Sequence, residues 1–203
     1  MIKEALLRQS TAFYGGEGDA WYDRNKDAVL NPIVVRELTG IKCDPQTIVE
    51  IGCSHGRYLN EMHKHYNCAC IGYDPSLAAI NVGKELYPSL DLRLGTARAF
   101  FGMPIDILVF GFCLYLVDRA ELHSIVADAD WCLRGGGYIV IHDFDPPAPQ
   151  ITPYHHKEGI FSYKMDYAAL WLANPAYELV SKTETNEGQA ITILRKGNWD
   201  RYS

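Results

Sequence analysis

The stretch Val49-Glu50-Ile51-Gly52-Cys53-Ser54-His55-Gly56 puts an acid, two glycines and several small or polar residues into one short window. Thr47 to Ile51 reads as a strand, and the window opens directly into a helix. Gly52 and Gly56 let such a turn tighten and approach a ligand with no Cβ in the way. Asp74 closes the next apolar stretch, where a carboxylate can accept hydrogen bonds from both hydroxyls of a ribose. The strand-loop-helix-strand-acid order predicts a site for a nucleoside cofactor. A dinucleotide is one occupant, but its pyrophosphate cradle wants three glycines, and Ser54-His55 interrupts the run. The same residues also satisfy the Gly-x-Ser-x-Gly elbow of hydrolases. Ser54 would then be the nucleophile, Asp118 or Asp143 the acid and His155 or His156 the base. Against that reading, an elbow follows several earlier strands, only about one helix precedes Ser54, and Asp74 has no role.

A second concentration of chemistry lies at His142-Asp143-Phe144-Asp145-Pro146-Pro147 and Pro153-Tyr154-His155-His156-Lys157. His142, His155 and His156 are candidate bases, with Asp143 or Asp145 to orient one. His142 also suits a strand-end histidine satisfied by backbone. These carboxylates lie on a loop without a defined ligand pattern, and Cys68-Ala69-Cys70 is too closely spaced for a zinc pair, so no metal is expected. Aromatic and ionic residues at Tyr14, Trp21, Tyr22, Arg24, Asn25, Tyr115, Tyr154 and Tyr163 are candidate substrate contacts. Trp21 serves equally as a lid residue or as part of a cap packed on the core.

The elements that must hold these residues alternate. An aromatic, glycine-rich segment over 1–27 is followed by a helix from about Arg24 to Leu38, with Pro32 as a kink or break. The β-branched first strand fits a parallel sheet covered on both faces. A helix over Gly56 to Tyr66, a strand from Cys68 to Tyr73 ending at Asp74, and a helix from Ser76 to Tyr87 follow. Leu90 to Leu94 and Asp106 to Phe112 read as strands, Arg119 to Leu133 as a helix, and Tyr138 to His142 as the fifth strand. This order predicts an α/β doubly wound sheet. Asp145 to Pro153 reads as an irregular loop, Gly159 to Tyr167 as a cover or an edge strand, and Tyr167 to Leu172 as a short helix. Tyr177 to Thr183 and Ala190 to Lys196 read as a terminal antiparallel pair.

The 203 residues, 48% hydrophobic, suffice for one domain over 1–203, with 1–40 as an N-terminal helical cap. A net charge of −6 without a basic run argues against a nucleic-acid backbone binder. No uncharged apolar run of about 18 residues is present, so no membrane partner is expected. The start, Met1-Ile2-Lys3-Glu4-Ala5, lacks the pattern of a secretory leader. Six cysteines in apolar contexts read as reduced core thiols, which places the protein in the cytoplasm.

The Glu50 to Gly56 segment resembles motif I of the class I S-adenosylmethionine-dependent methyltransferases: Glu50 matches the acid, Gly52 and Gly56 two glycines, and Cys53 the common cysteine. Ser54 stands where the middle glycine is usual. Gly95-Thr96-Ala97 resembles the segment beside adenine, with Thr96 in place of the frequent acid. Pro104 to Phe110 and Leu133 to Ile141 resemble the fourth-strand motif and the turn before the fifth strand. The resemblance runs from about Ile48 to Asp143 and implies a Rossmann-like, seven-stranded, mostly parallel sheet. It implies S-adenosyl-L-methionine as cofactor, held by Glu50, Gly52, Cys53, Ser54, Gly56, Asp74, Thr96, Ala97 and Phe112. More loosely, and chiefly at Trp21 to Asn25, the sequence resembles small bacterial methylases of surface-polysaccharide or nonulosonic-sugar pathways. That implies methyl transfer to an oxygen or nitrogen of a sugar or related small metabolite. A non-catalytic cofactor-binding module is the remaining alternative.

Overall fold

A computed structural model describes residues 8–198. The first seven residues, on which the reading of the chain's start rests, lie outside that range. Ahead of the sheet come α1 (Arg8–Ala12), a wide π-helical turn over Phe13–Glu17, α2 (Gly18–Asn25) and α3 (Pro32–Thr39). One continuous helix through Arg24 to Leu38 does not form. α2 stops at Asn25, and Pro32 begins α3 instead of kinking a longer helix. Asn31 caps that start, its side chain accepting the Ile33 N–H at 2.9 Å, and proline at the first helical position loses no hydrogen bond there.

The parallel core is β1 (Thr47–Ile51), α4 (Arg57–Tyr66), β2 (Ala69–Asp74), α5 (Leu77–Leu86), β3 (Asp91–Leu94) and β4 (Ile105–Gly111). A 3₁₀ turn over Leu114–Leu116, α6 (Arg119–Cys132) and β5 (Leu133–Phe144) follow. After β5 come β6 (Gln150–Pro153), β7 (Phe161–Lys164), α7 (Ala169–Leu172), β8 (Tyr177–Asn186) and β9 (Gln189–Lys196). The seven-stranded sheet has the order β3-β2-β1-β4-β5-β9-β8, with β9 antiparallel to both β5 and β8. The α/β, mostly parallel sheet with an antiparallel C-terminal pair is thus as expected.

Apolar residues in these strands point alternately to two cores, as the two-residue period demands. Val49 and Ile51 of β1, Leu108 and Phe110 of β4, and Ile139 and Ile141 of β5 join α6 and Trp171 of α7 on one face. Ile48, Ile107, Val109 and Val140 meet Val34, Leu38, Leu59 and Met62 of α3 and α4 on the other. With both faces covered, the polar groups of the sheet are displayed at the carboxyl ends of its parallel strands.

One reading of the segment after β5 and one of the cysteines change. Gln150–Pro153 is not irregular loop but β6, paired antiparallel with β7 in a separate two-stranded ribbon. Each strand of a two-stranded ribbon has one unpaired side, so Pro153, lacking an N–H, fits at the end of one. The cysteines are all free thiols, but Cys43 is exposed and Cys68 half-buried, so not all six are core residues. Among the described residues no helix is long and apolar enough to cross a membrane.

Candidate active site

The loop after β1 is built by backbone that side chains rarely adopt. Gly52 has φ +75°, Ser54 +52° and Gly56 +86°. A Cβ on Gly52 would lie 2.7 Å from Cys113 Cβ and 2.8 Å from the Gly111 carbonyl oxygen, so only glycine fits. Gly52 N–H and Cys53 N–H both donate to the Tyr73 carbonyl at 2.8 and 3.2 Å, which ties this loop to the end of β2. Asp74 completes the tie: its carboxylate accepts Ser54 N–H at 2.8 Å and Ser76 N–H at 2.8 Å. Burial pushes the Asp74 carboxyl up to about 6, against the pull of those two N–H groups.

Two cavities open at this edge. The first, with ≈ 730 Å³ of empty space partly open to solvent, is lined by Asp74, Pro75, Gly95, Thr96 and Ala97 on the sheet side. Gln9, Ser10, Phe13, Gly18 and Trp21 of the N-terminal segment roof it. The roof is fastened on both sides. Gln9 and Ser10 N–H donate to the Asp118 carboxylate at 3.0 and 2.9 Å, and Asp19 accepts from Ser76 Oγ and Ala78 N–H at the start of α5. The second cavity, ≈ 1080 Å³, is lined by Glu50, Cys53, Ser54, Arg57, Tyr58, His142 and four amides, Asn25, Asn31, Asn186 and Gln189. Trp21, Gly52, Gly111 and Phe112 line both cavities, so the two spaces meet at the carboxyl ends of β1 and β4.

Two features suit an amino-acid-bearing nucleoside there. Glu50 is 3% exposed, yet its Oε2 has no hydrogen-bond partner among the described residues. Burial pushes its carboxyl up to about 8. A Cβ on Gly111 would come within 2.7 Å of Glu50 Oε1, so glycine keeps the approach to that carboxylate open. Arg57 stands beside it at the start of α4, donating to the Ala28 carbonyl. An orphaned acid, a nearby guanidinium and a cradle that a Cβ would fill match the charges of an amino-acid end, and Asp74 lies in the adjoining space.

Phe112 follows β4 with φ +55°, a left-handed backbone that is costly for an aromatic residue. Its N–H donates to the His142 carbonyl at 2.8 Å. Its ring packs at a tilt within a cluster, 5.1 Å from Tyr115, 5.4 Å from His142 and 5.0 Å from Phe144. This aromatic wall bounds the junction of the two cavities. His142 Nε2 lies 3.4 Å from Thr185 Oγ1, and burial pushes the imidazole down to about 4, so it is neutral at pH 7.

The remaining candidates divide. Gly56 touches neither cavity lining and serves instead to open α4, packed against Leu90 and Leu92. Tyr14 is 51% exposed. Tyr22 is buried, edge-on to His55 at 5.5 Å. Arg24 reaches Glu17 at 2.6 Å and Tyr154 Oη at 3.1 Å, a clamp between α2 and the loop after β6. Tyr115 stands behind Phe112, and Tyr163 lies beneath the Arg119 guanidinium at 4.5 Å. His155 and His156 are exposed on the turn between β6 and β7 and line neither cavity. A short ribbon has no second layer to bury its turn, so these histidines face solvent. Asp143 does not orient a histidine. It accepts Leu114 N–H at 2.8 Å, Tyr115 N–H at 3.3 Å and Phe144 N–H at 2.7 Å. Asp145 pairs with Lys182. The hydrolase arrangement is therefore not assembled: among the described residues Ser54 Oγ has only His55 Nδ1 at 3.4 Å, while Asp118 and Asp143 are held by backbone N–H groups. Among the described residues no group of three or more His, Cys, Asp or Glu side chains could hold a metal ion.

Arg57, Asn31 and Gln189, and the roof residues Gln9 and Ser10, were not marked by the sequence. Arg57 alone carried a local signal, following Gly56 at the start of a helix. The others reach the cleft only through long-range contacts.

Residues 48–137, from β1 into β5, match the family model described as Methyltransferase domain. No curated protein matches the sequence. The fold is that of the class I S-adenosylmethionine-dependent methyltransferases, and the matched segment carries the loop after β1 and Asp74. The chain is similar in structure to the Burkholderia thailandensis 1,6-didemethyltoxoflavin-N1-methyltransferase, solved with 1,6-didemethyltoxoflavin and S-adenosylhomocysteine. The TM-score is 0.73 at 13% identity, covering 92% of this chain and 88% of that one. It is also similar to CalS10 of Micromonospora echinaspora, an amino pentose methyltransferase (0.61, 17% identity, 91% and 95% covered). A third is the N-methyltransferase NodS of Bradyrhizobium japonicum, solved with S-adenosyl-L-homocysteine (0.62, 15% identity, 86% and 87% covered).

Proposed function

We propose that this enzyme moves a methyl group from S-adenosylmethionine to a nitrogen or oxygen of a small, polar, uncharged metabolite, a sugar or a close relative, in the cytoplasm. The observation that carries the reading is the junction of the two cavities at Trp21, Gly52, Gly111 and Phe112, one side fit for a nucleoside and the other lined by amides. Asp74, Thr96 and Ala97 would hold the nucleoside, and Glu50, Gly52, Cys53, Ser54 and Arg57 the amino-acid end. When bound, the cofactor supplies a methyl group on a sulfonium.

The chain's own part is positioning and drying. Trp21 and Phe112 flank the junction with apolar rings. Asn25 Nδ2 is used by the Trp21 carbonyl, which leaves its oxygen as an acceptor for substrate. Asn186 Nδ2 donates to Gln189 Oε1 at 3.3 Å, which leaves the Gln189 amide hydrogens free to donate. His142, neutral and beside them, adds one further polar atom. The amides of Asn25, Asn186 and Gln189 and a neutral imidazole suit a ligand of several hydroxyl or amide groups, while Asn31 is engaged by Ile33 N–H and the Thr185 carbonyl; ring faces suit the apolar face of a sugar or a flat heterocycle. The small acceptors of the Burkholderia and Micromonospora enzymes support a small molecule here. The likeness of Trp21 to Asn25 to methylases of sugar pathways supports a sugar, and free thiols at all six cysteines suit the cytoplasm.

The test is incubation with methyl-labelled S-adenosylmethionine and the small-molecule fraction of the source organism's extract. Label in a polar metabolite is expected. Calorimetric binding of the cofactor with no label in any fraction would favour the non-catalytic module, and absence of binding would sink the reading altogether.

A further inference from the structure

Resting on that reading, we infer that the atom methylated is a nitrogen bearing its own lone pair, and not an aliphatic hydroxyl oxygen. A hydroxyl must shed its proton as it attacks, and at neutral pH that calls for a base within hydrogen-bond reach. Around this cleft the carboxylates are already committed. Both oxygens of Asp74 hold backbone N–H groups of Ser54 and Ser76. Asp143 holds three backbone N–H groups, Asp118 holds those of Gln9 and Ser10, and Glu121, on the lining of the cavity read as the nucleoside side, accepts Ser10 Oγ at 3.1 Å. Glu17 is engaged by Arg24 and Tyr154. Glu50, the acid with a free oxygen, lies in the motif that the reading above assigns to the cationic end of the cofactor. His155 and His156 stand outside both cavities.

That leaves His142. Its Nε2 faces Thr185 Oγ1 at 3.4 Å, and no carboxylate partners its ring among the described residues. With Thr185 Oγ1 rather than a carboxylate beside the ring, nothing would stabilise the imidazolium that a base must become, and burial, which pushes its conjugate acid down to about 4, makes the neutral imidazole a weak base. It can still orient a substrate by hydrogen bonding. A nitrogen acceptor needs no such base. Its lone pair forms the new N–C bond as the S–C bond breaks, sulfur keeps the bonding pair as a neutral thioether, and the positive charge passes to nitrogen. The nitrogen then gives its surplus proton to water. The Trp21 and Phe112 rings suit that step, since aromatic faces attract a cation.

The labelled product of the extract experiment decides the matter by mass spectrometry and NMR. A label on nitrogen is expected. A label on oxygen or carbon would overturn the inference and leave the methyltransferase reading standing; no labelled product despite cofactor binding would overturn both. With the acceptor identified, His142→Gln should raise its KM several-fold, lower kcat less than tenfold and leave the shape of the kcat–pH profile unchanged. Acceptor binding to the cofactor-free protein, followed by tryptophan fluorescence, should weaken by the same factor as KM. A fall in kcat of a hundredfold or more with loss of a titrating limb would make His142 the base and overturn the inference.

Discussion

The Asp143 carboxylate at the end of β5 accepts the Leu114 N–H at 2.8 Å, and so sets the turn that follows the neighbouring strand β4. Two further N–H groups, of Tyr115 and Phe144, complete its shell. Asp143 therefore holds the segment that carries Phe112 at the cavity junction and Tyr115 against its ring. Replacing it with alanine leaves two buried donors and one half-buried donor without an acceptor. Asp143→Ala should lose roughly 3 kcal/mol of stability by denaturant unfolding, with methyl transfer falling further than cofactor affinity.

Glu50 carries a pH dependence whose sign can be worked out. Its carboxyl is raised from 4.5 to about 8, first by burial and then by Asp74, with Arg57 opposing. The folded, ligand-free protein therefore holds a proton that the unfolded chain releases between these values. Its contribution to stability is present below pH 4.5 and is lost as pH rises toward 8. A ligand with net positive charge favours the ionised form. Affinity for S-adenosylmethionine should rise with pH from about 6 and level off near 8, with proton release seen by calorimetry in two buffers. Glu50→Gln should flatten that dependence.

Gly111 keeps the Glu50 carboxylate accessible, since an added Cβ would stand 2.7 Å from Oε1 and 3.2 Å from the Gly52 carbonyl oxygen. Gly111→Ala should cost about 1–3 kcal/mol in stability and weaken cofactor binding at least tenfold. Wild-type affinity in this variant would mean that the cofactor does not use the space beside Glu50.

Asp74 is expected to carry the nucleoside. Asp74→Ala removes the acceptor for Ser54 and Ser76 N–H as well, so loop and ligand are both affected. Cofactor affinity should fall by up to a few kcal/mol, measured calorimetrically. Asp74→Asn retains one acceptor oxygen and should fall in between.

The Arg24 guanidinium bridges buried Glu17 and Tyr154 Oη. Arg24→Ala leaves Glu17, 5% exposed, without its cation. A stability loss of about 2 kcal/mol is expected, together with easier proteolysis near Gly15-Gly16 as the roof loosens. Protection of that site by added cofactor would link the roof to the filled cleft.

Much of the catalytic frame was legible in the sequence because its signals are local. A β-branched strand, a glycine pair forced to positive φ and a carboxylate at the next strand's end can each be read within a few residues. The Ser76 cap of α5 was equally readable, since its hydroxyl accepts the Ala79 N–H only three residues on. The ribbon β6–β7 was half hidden because prolines hide strand pairing whose partner is ten residues away. His155 and His156 look like site residues by composition, and nothing local tells that their turn faces solvent.

By itself, then, the sequence determined the alternating sheet, the loop from Glu50 to Gly56 and the placing of Asp74, since backbone conformation and hydrophobic period are properties of short segments. The tertiary structure decided which polar groups remain available. Asp143 and Asp118 are consumed by N–H groups from segments distant in the chain, Glu17 by Arg24 and the distant Tyr154, and His142 is half-buried beside Thr185 instead of a carboxylate. Whether a carboxylate or an imidazole can act as a base depends on its surroundings, and those surroundings exist only once the chain has folded.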